Sequence, residues 1–195
     1  MSQEPTEARS DDLRIAFLRM SVVAAKYRCG CLVVDVDGMP VELRATEPIQ
    51  PTPTQQIAYG RSLQRAVAKL CGAPLLAALE VHPTIVLVDY EEFLLLHTPD
   101  LPVVCVQAHG EELEVEPDER SERERATDGE SGDTLPPPLP KWKSVRLHFA
   151  KAMSIEQRDQ VRALVARIYG DHQLNVLEPF ARIEKALGAL DAQAE

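Results

Sequence analysis

Cys31-Leu32-Val33-Val34-Asp35-Val36, then Asp37-Gly38-Met39-Pro40, then Val41-Glu42-Leu43-Arg44-Ala45-Thr46 are two extended runs joined by turn residues. An Asp-Gly between two such runs reads as a β-hairpin, because glycine takes the positive φ that a tight turn requires. In the second run Val41, Leu43 and Ala45 share one face, while Glu42, Arg44 and Thr46 share the other. That alternation predicts a strand with its apolar side on a core.

Working outward, Arg14 to Met20 alternates loosely and predicts a first strand. Downstream, Pro48, Pro51 and Pro53 force an extended connector. Thr54 is placed to cap a helix running to about Leu70, with Tyr59, Leu63, Ala66, Val67 and Leu70 at helical spacing. Gly72 should end that helix, and Pro74 should open a shorter one over Leu75 to Leu79. Ile85 to Val88 and Val103 to Val106 are continuous apolar runs of strand length, which fits strands covered on both faces. A short helical stretch is expected between them, from Glu91 to Leu96.

The fold class expected is therefore α/β (α+β): a mixed sheet that starts with an antiparallel hairpin and carries helices packed on it. Two known layouts are similar to this order in outline. One is ribonuclease-H-like, with three antiparallel strands followed by βα units. The other is deaminase-like, with a hairpin, helix, strand, helix and strand. Fold does not fix function.

Composition changes at His109. Glu111 to Asp133 holds eleven acidic residues and three arginines, a net of −8 out of the −10 carried by all 195 residues. The run Leu135-Pro136-Pro137-Pro138-Leu139-Pro140 follows. Such a stretch buries little and is expected to be disordered, ending in a polyproline segment. Lys143 to Phe149 resumes as a strand, and Ser154-Ile155-Glu156-Gln157 matches a capping box. A last helix near Pro179 carries Phe180, Ile183, Leu187 and Leu190. The organisation expected is a tail over 1–11, a core over 12–108, an acidic and Pro-rich insert over 109–141, and a strand-helix-helix segment over 142–195.

No apolar run is long enough to span a bilayer, and the polar start lacks the apolar core of a secretory signal. With four cysteines at Cys29, Cys31, Cys71 and Cys105 read as buried thiols, a cytoplasmic protein is expected. There is no P-loop, GxGxxG, GxSxG, or paired CxxC. A zinc deaminase would need HxE and PCxxC motifs together, and the PCxxC motif is missing. No cofactor is expected.

Three functions are open to such a chain. The first is a non-catalytic subunit or adaptor of a larger assembly with a protein partner. Its contact candidates are Pro136, Pro137, Pro138 and Trp142 as a polyproline ligand, and Phe180 and Leu187 on the last helix, although packing of that helix on the chain's own sheet is the default. The second is a metal-dependent nuclease or phosphoesterase. Acids at neighbouring strand ends suit Mg²⁺, which prefers oxygen ligands, and Asp35, Asp89 and Glu91 are the candidates. The competing reading makes Asp35 a turn residue and Asp89 a strand-end cap. The third is a nucleic-acid-binding module using Arg14, Arg19, Lys26, Arg28 and Arg44. The few aromatics and the acidic insert weigh against it.

Overall fold

The computed structural model describes residues 13–108, 134–135 and 144–193. The expected tail lies outside the described residues, and so do nearly all of the expected insert and Pro136, Pro137, Pro138 and Trp142. The described strands are β1 (Ile15–Val23), β2 (Lys26–Val34), β3 (Pro40–Ala45), β4 (Ile85–Val88), β5 (Val103–Ala108), β6 (Thr134–Leu135) and β7 (Val145–Phe149). They form one sheet in the order β3-β2-β1-β4-β5-β7-β6. β1, β2 and β3 are mutually antiparallel, β4 and β5 run parallel to β1, and β7 and β6 are antiparallel additions.

This mixed α/β sheet has the ribonuclease-H-like arrangement. The third antiparallel strand, laid outside the first hairpin, separates it from the deaminase-like alternative. β7 pairs with β5, so the C-terminal segment completes the same sheet.

The described α-helices are α1 (Pro53–Tyr59), α2 (Leu63–Ala77), α3 (Ile155–Gly170) and α4 (Glu178–Ala192). They cover both faces of the sheet. On one face, Phe17, Leu87, Val104 and Leu147 meet Val165 and Ile168 of α3 and Phe180, Ile183 and Leu187 of α4. On the other, Leu18, Cys31, Val86 and Val103 meet Val67, Cys71 and Leu75 of α2, and Phe93 from a 3-10 helix over Glu91–Leu96. The four residues of β4 are buried, as a strand covered on both faces must be. Phe180 meets Phe17 edge-on, with ring centroids 5.4 Å apart. Phe180 and Leu187 are thus core residues, and a partner cannot reach them.

Several local expectations needed correction. The first hairpin is β1–β2, which turns through Ala24 and Ala25 at positive φ of 50° and 61°. The Asp37-Gly38 turn, with Gly38 at φ 76°, joins β2 to β3 as expected. On β3 the facing is inverted. Val41 and Leu43 are exposed, whereas the Glu42 carboxylate accepts backbone N–H groups from Glu80 and Val81. β3 is an edge strand, whereas α4 packs chiefly on β1 and β2.

The cap of α1 is Thr52, in a reciprocal box with Gln55. Helix α2 runs through Gly72 and Pro74 instead of stopping there. A Cβ on Gly72 would lie 2.6 Å from Leu96 Cδ1 and 3.1 Å from Phe93 Cε1, so glycine is needed here for close packing. The Ser154–Gln157 box on α3 forms as expected.

Candidate functional site

β1 and β4 are parallel neighbours, and the C-terminal end of β4 lies beside the middle of β1, which continues to Val23. Leu18 pairs with Val88, which puts Arg19 beside Asp89. Both side chains point to the face covered by α4, where Glu184 joins them. Arg19 Nη1 donates to Asp89 Oδ2 at 2.6 Å, and Arg19 Nη2 donates to Glu184 Oε2. One guanidinium thus forks across two carboxylates from two elements.

The Asp89 side chain is only 16% exposed. Burial pushes its carboxyl up to about 6; the Arg19 charge opposes that rise and the Glu184 charge adds to it. Asp89 Oδ1 and Arg19 Nε are both buried without a hydrogen-bond partner.

Beyond Asp89 the chain enters the 3-10 helix that carries Glu91. Glu91 Oε1 lies 3.2 Å from His148 Nδ1 on β7. Glu91 and Glu92 also line a cleft of about 640 Å³. Its other walls include Arg61 and Arg65, from the 3-10 turn Gly60–Ser62 and the start of α2, with His97, Phe149 and Lys151. Burial lowers the basicity of His97 and favours its neutral imidazole. Three long cations and an aromatic ring therefore face two carboxylates, a set suited to phosphate groups and a flat ring.

The sequence candidates fall in different places. Asp35 Oδ1 accepts the backbone N–H groups of Asp37 and Met39, and so fastens the β2–β3 turn. Asp35 follows Val34, which pairs with Ile15, whereas Asp89 follows Val88, which pairs with Leu18. Asp35 thus sits level with the start of β1 and Asp89 with its middle, roughly 16 Å apart along the strand direction at ~3.3 Å per residue. A two-metal centre spans about 4 Å. Asp35 and Asp89 do not meet, while Asp89 and Glu91 do share one end of the sheet.

The expected basic face is also absent as such. Arg19 is forked onto two acids, Arg28 pairs with Asp191 at 2.8 Å, and Arg44 pairs with Glu42 and Glu80. Arg14 stands at the far end of β1, where its Nη1 donates to Leu13 O, and Lys26 is exposed beyond the β1–β2 turn. The sequence reading missed Glu184, Arg61, Arg65 and Lys151. The Arg61, Arg65 and Lys69 spacing of four was a visible signal, since such residues line one helix face. Glu184 gave none, because only the fold brings it to Arg19 across 165 residues.

The divalent metal implied by the nuclease alternative does not fit this residue set. Among the described residues, no three His, Cys, Asp or Glu side chains converge to hold an ion. The two carboxylates that do converge, Asp89 and Glu184, have the Arg19 guanidinium between them.

No protein-family model matches the chain, and no curated protein matches it in sequence. Solved structures do match its fold. Endonuclease V from Ciona intestinalis, in complex with a 24-mer DNA containing an inosine followed by a ribo-adenosine, is 16% identical; the match covers 94% of this chain and 87% of that one, with a TM-score of 0.53. Endonuclease V from Bacillus subtilis is 12% identical, with 96% and 84% covered and a TM-score of 0.50. The chain thus has an endonuclease V-like fold of the ribonuclease-H-like kind.

These matches correct the leading functional expectation. The fold is that of nucleases, one of them solved with DNA, and not that of a non-catalytic adaptor. The expected protein partner and protein-protein interaction reading are corrected as well, because the Ciona endonuclease V of this fold was solved in complex with DNA. Of the readings drawn from sequence, the nuclease alternative agrees better with the fold, although its Asp35–Asp89 pair does not form.

Proposed function

We propose that this chain acts on nucleic acid, holding the phosphate backbone in the cleft between α2, the 3-10 helix and the segment after β7. The observation that carries the reading is the cleft itself. It sets Arg61, Arg65 and Lys151 around a space of about 640 Å³, with Phe149 in its wall and Glu91 on its rim. Arginine and lysine supply the phosphate contacts. Glu91, paired with His148, and Glu92 give the cleft its acidic side. The Ciona endonuclease V structure, solved with a DNA strand, supports the same class of ligand.

The test uses fluorescein-labelled 24-mer DNA, single-stranded and duplex, with and without one inosine, titrated with the full chain between 50 and 200 mM salt. Three phosphate contacts predict saturable binding that weakens with salt, with a log–log slope of about −2 to −3. Absence of binding to every strand, or binding indifferent to salt, would overturn the proposal.

A further inference from the structure

The residue of β1 that lies beside the C-terminal end of β4 is a cation that belongs to the chain. We infer that Arg19 takes the place of a divalent metal ion between Asp89 and Glu184, so that this site is closed to metal. The inference rests on the ion-pair geometry and not on the nucleic-acid reading.

Two carboxylates from different elements approaching one point is the arrangement that holds a hard cation, which often needs only one or two carboxylates plus water. Here the point is already filled. Arg19 Nη1 lies 2.6 Å from Asp89 Oδ2, and its Nη2 is paired with Glu184 Oε2. The guanidinium is charged at every pH the protein meets, and its planar fork suits two acceptors at once.

It is also held in place. Arg19 pairs with Gly30 of β2, and the residue before it, Leu18, pairs with Val88 of β4. The side chain is only 23% exposed. A metal ion entering this point would have to expel a guanidinium and leave it largely buried without a partner, which costs more than two carboxylate ligands return. Asp89 Oδ1, buried and unpartnered, is the acceptor left spare when one planar cation substitutes for an ion that binds oxygens from every direction.

The experiment is Mn²⁺ titration of the full chain, read by electron paramagnetic resonance and by the thermal midpoint, with no nucleic acid present. The wild-type chain should show no Mn²⁺ binding that Asp89→Asn removes. Arg19→Ala should gain one Mn²⁺ site, at least about tenfold tighter than any wild-type binding, consistent with a site made of carboxylates and water. That gain should vanish in Arg19→Ala with Asp89→Asn, and Arg19→Lys, which keeps the charge, should not show it.

If Arg19→Ala does not fold alone, Mn²⁺ should restore its thermal transition, because the ion returns the missing charge. Three results would overturn the inference: wild-type Mn²⁺ binding abolished by Asp89→Asn, a folded Arg19→Ala that binds none, or an unfolded one that Mn²⁺ does not rescue. Mg²⁺-dependent strand cleavage lost in Asp89→Asn would overturn it as well. Because no nucleic acid is needed, failure of the binding proposal leaves this result readable.

Discussion

Asp89 shows how the position of a single residue sets its chemistry. From sequence it is an acid after an apolar strand, equally a ligand or a helix cap. In the fold it is buried, and its carboxyl rises from the ordinary 3.8 to about 6, chiefly through burial. Below pH 3.8 both folded and unfolded chains hold the proton, and the group does not affect stability. As pH rises toward 6 the unfolded chain releases the proton first, so ionisation of Asp89 progressively destabilises the fold, by roughly 3 kcal/mol at most. Asp89→Asn cannot ionise. The difference in thermal midpoint, variant minus wild type, is predicted to grow between pH 4 and pH 6.5 and then level off. A difference that is constant with pH would show that Asp89 is not held in this way. Asp35 is the contrasting case. Its turn-fastening role was readable from its place beside Asp37-Gly38, and the structure gives it that role, with two N–H groups on Oδ1.

At the scale of the elements, the strong local signals sufficed and the weak ones misled. The buried strands β4 and β5 and the Ser154–Gln157 cap were readable because apolar runs and capping boxes act within a few residues. The β1–β2 turn was not, because Ala24 and Ala25 occupy the positive-φ region usually left to Asn and Gly. Each alanine there is strained by about 1 kcal/mol. The double substitution Ala24→Asn with Ala25→Gly is predicted to raise stability by about 1 kcal/mol in urea denaturation. An unchanged or lowered midpoint would contradict the turn geometry.

Gly30 marks where α4 meets the sheet. A Cβ there would sit 2.6 Å from Ile183 Cγ2 and 3.2 Å from Leu187 Cδ2. Gly30→Ala should lower stability by about 1–3 kcal/mol through overpacking. It should also shift Glu184, which α4 carries to Arg19. A neutral substitution would mean α4 does not dock as described. The facing of β3 was misread for a related reason: alternation tells which residues share a face, but not which face a helix covers.

At the scale of the whole molecule, charge was the least readable property. The sequence total of −10 and the acidic run from Glu111 to Asp133 argued against nucleic acid. The arginines proposed on the first strands are indeed largely taken up by acids of α4, β3 and the loop after α2. The cations proposed to hold phosphate lie elsewhere, where α2, the 3-10 helix and the segment after β7 converge, and only the folded chain puts Lys151 and Arg65 on one cleft. A binding surface assembled from three distant stretches leaves no motif in the chain.

The most direct measurement is therefore DNA binding by the full chain against a variant carrying Arg61→Ala, Arg65→Ala and Lys151→Ala, each first shown to be folded by its thermal midpoint. If the cleft holds the backbone, the variant's Kd rises by at least about tenfold and its salt slope falls by about 2 to 3. If the variant binds DNA as the wild type does, with the same slope, the cleft is not the nucleic-acid site.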